Sequence, residues 1–397
     1  MIQVTSVLRS SMYEELIMKF LHTGDLHIGK RIYETSILED QKYMLKQIYE
    51  IAVQEDVDAV LIAGDVYDRS VPATEAVELL DDFLTEFIKS GIPVVMISGN
   101  HDSPERVGFA DKILEKQGLY IAGSYEGRLR RVSFWDENGE VCVVCLPYVK
   151  PAVAEGKNCA EAVKNILEKE NIDFSDGKRY VLLTHYFVTG EDGQAPQLSE
   201  SENGIDVGGI DNIPSGVFEG FDYVALGHIH RAQRVGKNKI YYAGAPMKYS
   251  FSEANSQKSV TLVKMEAAGN VEVEQRVIKP SHEMRCIKGK LQDLMKEDVV
   301  NSEGVSAMDY VQATLTDKEE LIDPIGTLRS VYPNTLQILI EKNYQVQEER
   351  YESSVQGEVR STEELFGDFY EMLTGQELDE VQKKIVKDAA NAAGGQE

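Results

Sequence analysis

The chain has few cysteines, no long apolar run and fewer basic than acidic residues. Four cysteines in 397 residues are too few for a disulfide framework, so we expect reduced thiols. No apolar stretch approaches the roughly 20 residues that a membrane-spanning helix needs, and we expect a cytoplasmic protein without a membrane partner. The length is sufficient for a full core and predicts two or three domains.

Two of the four cysteines, Cys142 and Cys145, have the C-x-x-C spacing of redox and zinc sites. They lie in the β-branched run 141–146, and side chains three positions apart on a strand point to opposite faces. We therefore predict buried strand cysteines rather than a redox pair or a zinc site.

Histidine is also scarce, but five of the seven histidines fall into short clusters of metal-binding residue types. The clusters are, in chain order, Asp25-Leu26-His27, Gly64-Asp65, Gly99-Asn100-His101-Asp102, Thr184-His185 and Gly227-His228-Ile229-His230. The other two histidines, His22 in the first strand and His282 with no partner nearby, are expected to be structural.

Each cluster follows an apolar run that predicts a buried strand. These runs are 18–22, 57–63, 92–98, 180–183 and 221–226. Ligands of open sheets bind just beyond the carboxyl ends of the strands, so clusters placed there can converge on one site. Oxygen and nitrogen ligands from five strand ends are enough to hold two metal ions.

The series closely resembles the signature of the calcineurin-like metallophosphoesterases, which is D-x-H, G-D, G-N-H-D/E, a later H and G-H-x-H. Within them it is most similar to the SbcD-type bacterial nuclease subunits, which work with the coiled-coil ATPase SbcC. The narrower resemblance is carried by Met18–Lys30, by Ala63–Arg69 with Val71-Pro72, and by Gly99–Pro104.

The resemblance implies a role for each motif residue. One metal ion would be held by Asp25, His27 and His230, the other by Asn100, His185 and His228, with Asp65 bridging the two. His101 would protonate the leaving 3′ oxygen, and Asp102 would fix the tautomer of that histidine. Carboxylate, amide and imidazole ligands favour manganese, and iron and zinc also accept such ligands. The ligand set excludes a site made only of thiolates. Two such ions would activate water for in-line attack on phosphorus.

A P-loop is an alternative interpretation of the segment from Gly24 to Lys30, which has the required spacing and follows a strand. The next residue is Arg31, where a P-loop needs Ser or Thr to hold magnesium, and Asp25 would oppose a triphosphate. We predict no ATP site on this chain, so that any ATP dependence must come from a partner.

The net charge of −26, from 41 basic and 67 acidic residues, contrasts with the basic footprint of most nucleic-acid-binding proteins. The positive charge of two divalent ions would exceed the negative charge of the Asp25 and Asp65 carboxylates, so the site would attract a phosphodiester. Basic residues also flank the clusters: Lys30, Arg31, Arg69, Arg106, Arg231, Arg234, Lys237 and Lys239. The acidic excess lies elsewhere, in 191–222 and in the C-terminal third.

Strands and helices alternate over residues 18–280 and predict an α/β nuclease domain, for which the resemblance implies a four-layer αββα sandwich. Residues 281–345 predict a small α+β capping domain, which in the family contributes to DNA recognition. Residues 1–17 carry no strand or ligand and indicate a disordered extension or a start codon assigned too early. A polar linker is expected over 346–360 and a partner-binding helix pair over 361–397.

Two helices of the nuclease domain have clear sequence signals. Ser36 and Glu39 form a capping box before a helix with Leu45, Ile48 and Ala52 on one face. A second helix is predicted over about 73–88, with an apolar face that comprises Val77, Leu80, Leu84 and Ile88.

The C-terminal helices are amphipathic and too short to bury their own apolar faces. Each begins with a capping box, Ser361 with Glu364 and Thr374 with Glu377, and Gly375 separates them. Their faces comprise Leu365, Phe366, Phe369, Tyr370 and Leu373 in the first, and Leu378, Val381, Ile385 and Ala389 in the second. Such faces must dock on another surface. That surface belongs either to a partner or to this chain, where the capping domain is the candidate. The resemblance implies the coiled-coil base of an SbcC-like ATPase.

These observations and the resemblance predict a manganese-dependent DNA exonuclease and endonuclease. It would be the nuclease subunit of an SbcC-SbcD-type complex that processes DNA ends and hairpins, present as a homodimer within a heterotetramer. A stand-alone phosphodiesterase acting on a small molecule is one alternative, for which the C-terminal helices have no clear use. A non-catalytic scaffold for the ATPase is the other, although every expected ligand and His101 are present.

Overall fold

The computed structural model of the protein describes residues 17–202, 211–236, 239–300, 305–341, 366–370 and 378–393. The predicted N-terminal extension, apart from Ile17, and the predicted linker 346–360 lie outside these residues. The chain divides into two compact units, Met1–Glu341 and Lys342–Glu397. Among the described helices, none is both long and apolar enough to cross a bilayer.

Nineteen strands form within the described residues. They are β1 (Met18–Thr23), β2 (Arg31–Ile32), β3 (Thr35–Ser36), β4 (Ala59–Ala63), β5 (Val94–Ile97), β6 (Leu119–Ala122), β7 (Arg130–Asp136), β8 (Gly139–Leu146), β9 (Arg179–His185), β10 (Val188–Thr189), β11 (Ile213–Pro214), β12 (Tyr223–Gly227), β13 (Gln233–Arg234), β14 (Ile240–Tyr242), β15 (Lys258–Met265), β16 (Val271–Ile278), β17 (Met284–Gly289), β18 (Tyr310–Leu315) and β19 (Thr335–Ile340).

Helices connect or cover these strands. They are α1 (Leu38–Gln54), α2 (Thr74–Ser90), α3 (Pro104–Val107), α4 (Asp111–Leu114), α5 (Cys159–Glu170), α6 (Leu291–Leu294), α7 (Glu297–Val300), α8 (Pro324–Arg329) and α9 (Glu380–Ala393). Residues 366–370 are also helical.

Two six-stranded sheets form the centre of the larger unit. The first has the order β16-β15-β1-β4-β5-β6 and the second β13-β14-β12-β9-β8-β7. Their facing sides share an apolar core that includes Phe20, Leu61, Val143 and Leu183. Helices α1 and α2 pack on the outer face of the first sheet, and α5 packs on the outer face of the second. The predicted α/β fold with a four-layer αββα arrangement is confirmed.

Helix α1 buries the predicted residues Leu45, Ile48 and Ala52, but the predicted capping box is wrong. Ser36 belongs to strand β3, where it pairs with Arg31. The residue before the helix is Ile37, which makes no side-chain capping bond. Ser36 therefore belongs to the short hairpin β2–β3 and does not cap the helix.

The buried face of α2 agrees with the prediction only in part: Leu80 is buried, and Leu84 and Ile88 pack against the core. The helix buries Ala76, Leu79, Leu80, Phe83 and Phe87, whereas Val77 from the predicted face is 44% exposed. Turning the helix this way buries two aromatic rings, which removes more apolar area from water than the predicted valine would.

The C-x-x-C pair is structural, as predicted. Cys142 packs in the core on the helix side of the second sheet, and Cys145 packs in the core between the sheets. Burial raises the pKa of Cys142 to about 11 and that of Cys145 to about 12. Both thiols therefore stay protonated and unreactive at neutral pH.

A three-stranded parallel sheet, β17-β18-β19, follows the sandwich. It packs with α6, α7 and α8 around a core that includes Val311, Leu328 and Tyr332. The prediction that His282 has no partner is wrong. Its Nδ1 lies 2.8 Å from a carboxylate oxygen of Asp40, and the other oxygen of Asp40 accepts from Tyr310. Asp40 of α1 thus joins the sandwich to this sheet.

His22 is a buried structural histidine of the first strand. Its Nδ1 lies 3.0 Å from the hydroxyl oxygen of Tyr223, and burial lowers its pKa from 6.5 to about 3. Above pH 6.5 the ring is neutral in both states and contributes no pH dependence. Below pH 6.5 only the unfolded chain takes up the proton, so the free energy of unfolding falls as the pH falls.

We expect this residue alone to remove about 2 kcal/mol of stability between pH 6.5 and pH 5. Urea unfolding of the metal-free protein and of His22→Gln at pH 7 and pH 5 measures the contribution. The variant should lose less stability on acidification than the parent. Equal pH dependence in the two proteins would show that His22 is not held neutral.

Candidate active site

The five motif clusters meet at the carboxyl ends of strands from both central sheets. Strands β1, β4 and β5 of the first sheet lead to Asp25, Asp65 and Asn100, and β9 and β12 of the second lead to His185 and His228. The ends of β9 and β12 are in register, with His185 beside Gly227. Most of the predicted site residues line a single cleft of about 270 Å³.

The first predicted ligand group is assembled. Ligand atoms of Asp25, His27 and His230 all lie within 4.8 Å of one another. The Nε2 atoms of His27 and His230 are 3.2 Å apart. A carboxylate oxygen of Asp65 lies 3.7 Å from the same nitrogen of His27.

The second predicted group lies on the other side of Asp65. The side-chain oxygen of Asn100 is 3.0 Å from Nε2 of His185 and 3.0 Å from Nδ1 of His228. The Oδ2 atom of Asp65 is 3.4 Å from His185 Nε2. The same oxygen therefore approaches both groups, as a bridging ligand would.

The donor set fits a pair of divalent cations. His185 donates from Nδ1 to the carbonyl of Ala63 over 2.6 Å, so Nε2, which faces Asn100 and Asp65, is the nitrogen that a metal ion would bind. The Nε2 atoms of His27 and His230 face each other. A cation bound between them would accept a lone pair from both nitrogens, whereas a single proton bonds covalently to only one. Imidazole, carboxylate and amide ligands suit Mn, Fe or Zn.

The electrostatics of the cleft also suit added positive charge. Burial raises the pKa of Asp25 to about 8 and lowers the pKa of His27 to about 4. Burial acts the same way on His228, whose pKa falls to about 3. Burial lowers the pKa of His185 as well, but the carboxylates of Asp65 and Asp25 outweigh it and raise the pKa to about 9. Divalent cations stabilise ionised carboxylates and neutral imidazoles together.

Four of the proposed ligands have backbone conformations that side chains rarely adopt. Asp25, His27, Asp65 and His228 have φ angles of 52°, 42°, 48° and 97°. Such conformations each cost of order 1–3 kcal/mol, and they collect at functional sites where the surroundings enforce them.

Two motif glycines allow the strand ends to approach closely. A Cβ atom on Gly99 would overlap the Asp65 side chain, and one on Gly227 would overlap the carbonyl oxygen of Ala63. Gly99 precedes the proposed ligand Asn100, and Gly227 precedes His228. The glycines of these motifs are therefore needed for space.

Asp102 does not have the role predicted for it. Its buried carboxylate accepts backbone N–H groups of Val66 (3.1 Å), Tyr67 (2.9 Å) and Gly99 (2.9 Å). Nδ1 of His101 instead lies 3.1 Å from the backbone carbonyl oxygen of Asp68. The prediction that Asp102 orients His101 is wrong: Asp102 holds two ligand-bearing loops together, and the Asp68 carbonyl orients the imidazole.

Several residues that support the site were missed by the sequence analysis. Ser201 and Glu202 contact His230, although they lie in a segment that was described only as acidic. Lys30, one of the basic residues that flank the clusters in the sequence, lines the cleft and pairs with the Asp68 carboxylate at 2.7 Å. The flanking Arg69 is exposed on the surface, and Lys237 lies outside the described residues.

Comparison with known families agrees with this geometry. The sequence model of the family described as calcineurin-like phosphoesterase matches residues 18–232, which contain all the proposed ligands. The chain belongs to the calcineurin-like phosphoesterase family. A second model, described as the type 5 capsule protein repressor C-terminal domain, matches residues 280–374 of this phosphoesterase.

A relative matches this phosphoesterase over almost its whole length. The SbcD component of the SbcCD nuclease of Staphylococcus epidermidis is 30% identical over 376 residues, which cover 93% of this chain and 97% of the relative. The family assignment therefore extends to the SbcD branch. The chain is a hydrolytic phosphodiesterase whose fold implies divalent metal ions.

Two solved structures show weaker likeness. The protein TT1561 of Thermus thermophilus has a TM-score of 0.38 at 12% identity and covers 65% of this phosphoesterase and 99% of its own chain. A dimetal phosphatase from Danio rerio has a TM-score of 0.39 at 12% identity and covers 67% and 98%.

Proposed function

We propose that the chain is a manganese-dependent DNA nuclease, the catalytic subunit of an SbcC-SbcD-type complex that processes DNA ends and hairpins. The observation that carries the proposal is the convergence of the predicted residues: five of the seven ligands and His101 line one cleft, and ligand atoms of Asp25 and His185 lie within 4.8 Å of those of Asp65. The match to a nuclease subunit over 93% of the chain supports a nucleic acid as substrate. We further propose that it acts in the cytoplasm as a homodimer within a heterotetramer.

Asp25, His27 and His230 would hold one ion, Asn100, His185 and His228 the other, and Asp65 would bridge them. Bound at these positions, two divalent ions would supply an activated water and stabilise charge on the phosphoryl oxygens. The chain's own contribution is to hold the carboxylate and imidazole groups in place. Most of them, namely Asp25, His27, Asp65, His185 and His230, are buried.

His101 would provide the proton for the leaving oxygen. The carbonyl of Asp68 can only accept, so Nδ1 of His101 is the donor in their contact. The exchangeable proton of the charged ring is then on Nε2, which lies 4.0 Å from Oδ2 of the bridging Asp65. The side chain is 46% exposed, so a substrate can reach it.

The decisive assay compares substrates. We expect manganese-dependent cleavage of hairpin and linear DNA by the purified chain, with ATP stimulation when the SbcC-like partner is added. A phosphodiesterase for a small molecule would instead cleave small phosphodiesters far better than DNA. A non-catalytic scaffold would bind the ATPase and cleave neither substrate.

The C-terminal unit presents apolar side chains to solvent. Phe366 is 44% exposed, Phe369 51%, Val381 68% and Ile385 62%. Leu378 of the predicted second face is buried, and Leu365 and Leu373 of the first face lie outside the described residues. Exposed apolar groups at helical spacing favour a protein partner. We propose that an SbcC-like coiled-coil ATPase covers them.

Deletion of residues 361–397 should separate catalysis from partner binding. The deletion removes no proposed metal ligand, so manganese-dependent cleavage of simple DNA should persist. Co-purification with the ATPase and stimulation by ATP should both be lost, because buried apolar area supplies most of such binding. Co-purification on an affinity column and nuclease assays measure the two effects.

A matched control reverses charges on the same helix without changing its apolar residues. Lys383→Glu with Lys387→Glu should retain most of the affinity, whereas Val381→Asp with Ile385→Asp should lose it. A truncated chain that still binds the ATPase with unchanged affinity would contradict the docking role, and one that unfolds would place these helices in the chain's own core.

A further inference from the structure

His230 is held at three atoms by residues that are distant in the sequence. Its backbone N–H donates to the carboxylate of Glu202 over 2.6 Å. Its backbone carbonyl accepts from the ammonium group of Lys258 over 2.9 Å. Its side-chain Nδ1 lies 2.8 Å from the hydroxyl oxygen of Ser201. The remaining nitrogen, Nε2, faces His27.

Behind Ser201 lies a buried ion pair. The hydroxyl of Ser201 donates to Oε1 of Glu253 over 2.6 Å. The other carboxylate oxygen of Glu253 lies 2.6 Å from the ammonium group of Lys258, and these two side chains are only 4% and 7% exposed. The positive charge of Lys258 therefore lies next to the negative charge of Glu253. Ser199 completes the cluster, with its hydroxyl oxygen 2.6 Å from that of Ser201.

The direction of each hydrogen bond follows from the chemistry of the groups. An ionised carboxylate only accepts, so Ser201 donates its single proton to Glu253. The serine oxygen then has only lone pairs to offer to His230, and Nδ1 of the imidazole must carry the proton. A neutral imidazole has one N–H, so Nε2 is left with a free lone pair on the side of the cleft.

We propose that Glu253, acting through Ser201, is a positioning residue that fixes the tautomer and orientation of His230 for metal binding. The inference rests on the proposed metal site and deepens it, since it names residues outside the motif clusters. A carboxylate behind a metal-binding histidine usually contributes about 10–100-fold to metal affinity or activity. Here a serine hydroxyl is placed between the carboxylate and the imidazole.

A merely structural role is the competing explanation. The cluster forms part of the wall of a second cavity of about 490 Å³, and the buried pair of Glu253 and Lys258 could serve only to support that wall. Loss of Ser201 or of the carboxylate charge would then lower the stability of the fold but leave metal affinity unchanged. The two explanations therefore differ in a binding measurement.

The test is titration of the metal-free full chain with Mn²⁺ and with Co²⁺, followed by calorimetry and by the visible spectrum of bound cobalt. Two ions per wild-type chain establish the site on which the inference rests. Ser201→Ala should then bind one ion about 10–100-fold more weakly. Ser201→Thr, which keeps the hydroxyl at a position that borders the cleft, should bind as the parent does. Ser252→Ala is the matched control, because its hydroxyl lines the same second cavity but bonds to Glu200 and Ser250, and it should stay within a few-fold of the parent.

A double-mutant cycle tests the order of action. Glu253→Gln should weaken the same ion, but it should add nothing in the Ser201→Ala background, because its effect passes through the serine. Additive losses would overturn the proposal. So would unchanged cobalt affinity in Ser201→Ala, or an equal loss in Ser201→Thr.

The tautomer of the His230 ring can be measured in the wild-type protein, without substituting any residue of the cluster. In a ¹H–¹⁵N spectrum of the metal-free wild type, labelled at histidine and assigned with His230→Gln, the ring of His230 should carry its proton on Nδ1. A proton on Nε2 would refute the inference whatever the metal affinities are. Failure of the wild type to bind two ions would instead refute the proposed metal site and leave the tautomer result standing.

Discussion

Replacing Asp65 with alanine is expected to remove both metal ions and nearly all activity, while the fold survives on its core. Oδ2 of Asp65 approaches His27 and His185 from between the two ligand groups, so its loss affects both positions at once. Oδ1 accepts the backbone N–H of His101 over 2.9 Å, so the proton donor is displaced as well. Losing several kcal/mol of transition-state stabilisation corresponds to a deficit of about 10³-fold or more.

Elemental analysis and DNA cleavage measure the two losses in the same preparation. Asp58→Ala is the matched control. Asp58 directly precedes β4, whereas Asp65 follows the other end of that strand, and Asp58 accepts the backbone N–H of Lys19. That variant should keep its ions and its turnover. Two retained ions per chain in Asp65→Ala would contradict the bridging role.

His101→Ala should behave differently, with both ions retained and turnover reduced by about 10²–10⁴-fold. The side chain reaches the cleft without belonging to either ligand group, and its ring is held by the carbonyl of Asp68. A substrate with a good leaving group needs less protonation, so its cleavage should be partly rescued. Rates on DNA and on an activated phosphodiester give the comparison.

His282→Ala provides the control for a histidine outside the cleft. His282 contacts Asp40 and should leave turnover on both substrates near the parent value. If His101→Ala lost activity equally on activated and unactivated substrates, His101 would not be the proton donor. Loss of a metal ion from His101→Ala would instead show that His101 is a metal ligand.

The strands and the positions of the ligand clusters were predictable because local patterns encode them. Apolar runs followed directly by Asp, His or Asn mark strand ends, and parallel strands bring their carboxyl ends to one edge. The site therefore appears in the sequence as an ordered series even though its first and last ligands, Asp25 and His230, are far apart in the chain.

The contacts that orient the ligands were not predictable, because their partners are distant in sequence or belong to the backbone. Asp102 stands beside His101 in the motif, yet its carboxylate binds N–H groups of the loop after β4. Likewise, nothing in the sequence around Glu253 connects it with Ser201. Side-chain type and spacing carry no information on such pairings until the fold is known.

The same limit applies to the buried face of α2. Its apolar residues occupy more positions than one face can hold, so helical spacing alone allows more than one orientation. The choice depends on the sheet that the helix covers, where Phe83 and Phe87 find space.

The placement of β1 has a consequence for synthesis on the ribosome. This strand pairs with β4 on one side and with β15 on the other, and Met18 lies opposite Met265. All the proposed ligands precede β15 in the chain, so they emerge while one edge of β1 is still unpaired. Unpaired edges invite association with other chains. The nascent nuclease domain should therefore depend on chaperones until Met265, the last residue of β15, has left the exit tunnel, and fragments that end before β15 should aggregate.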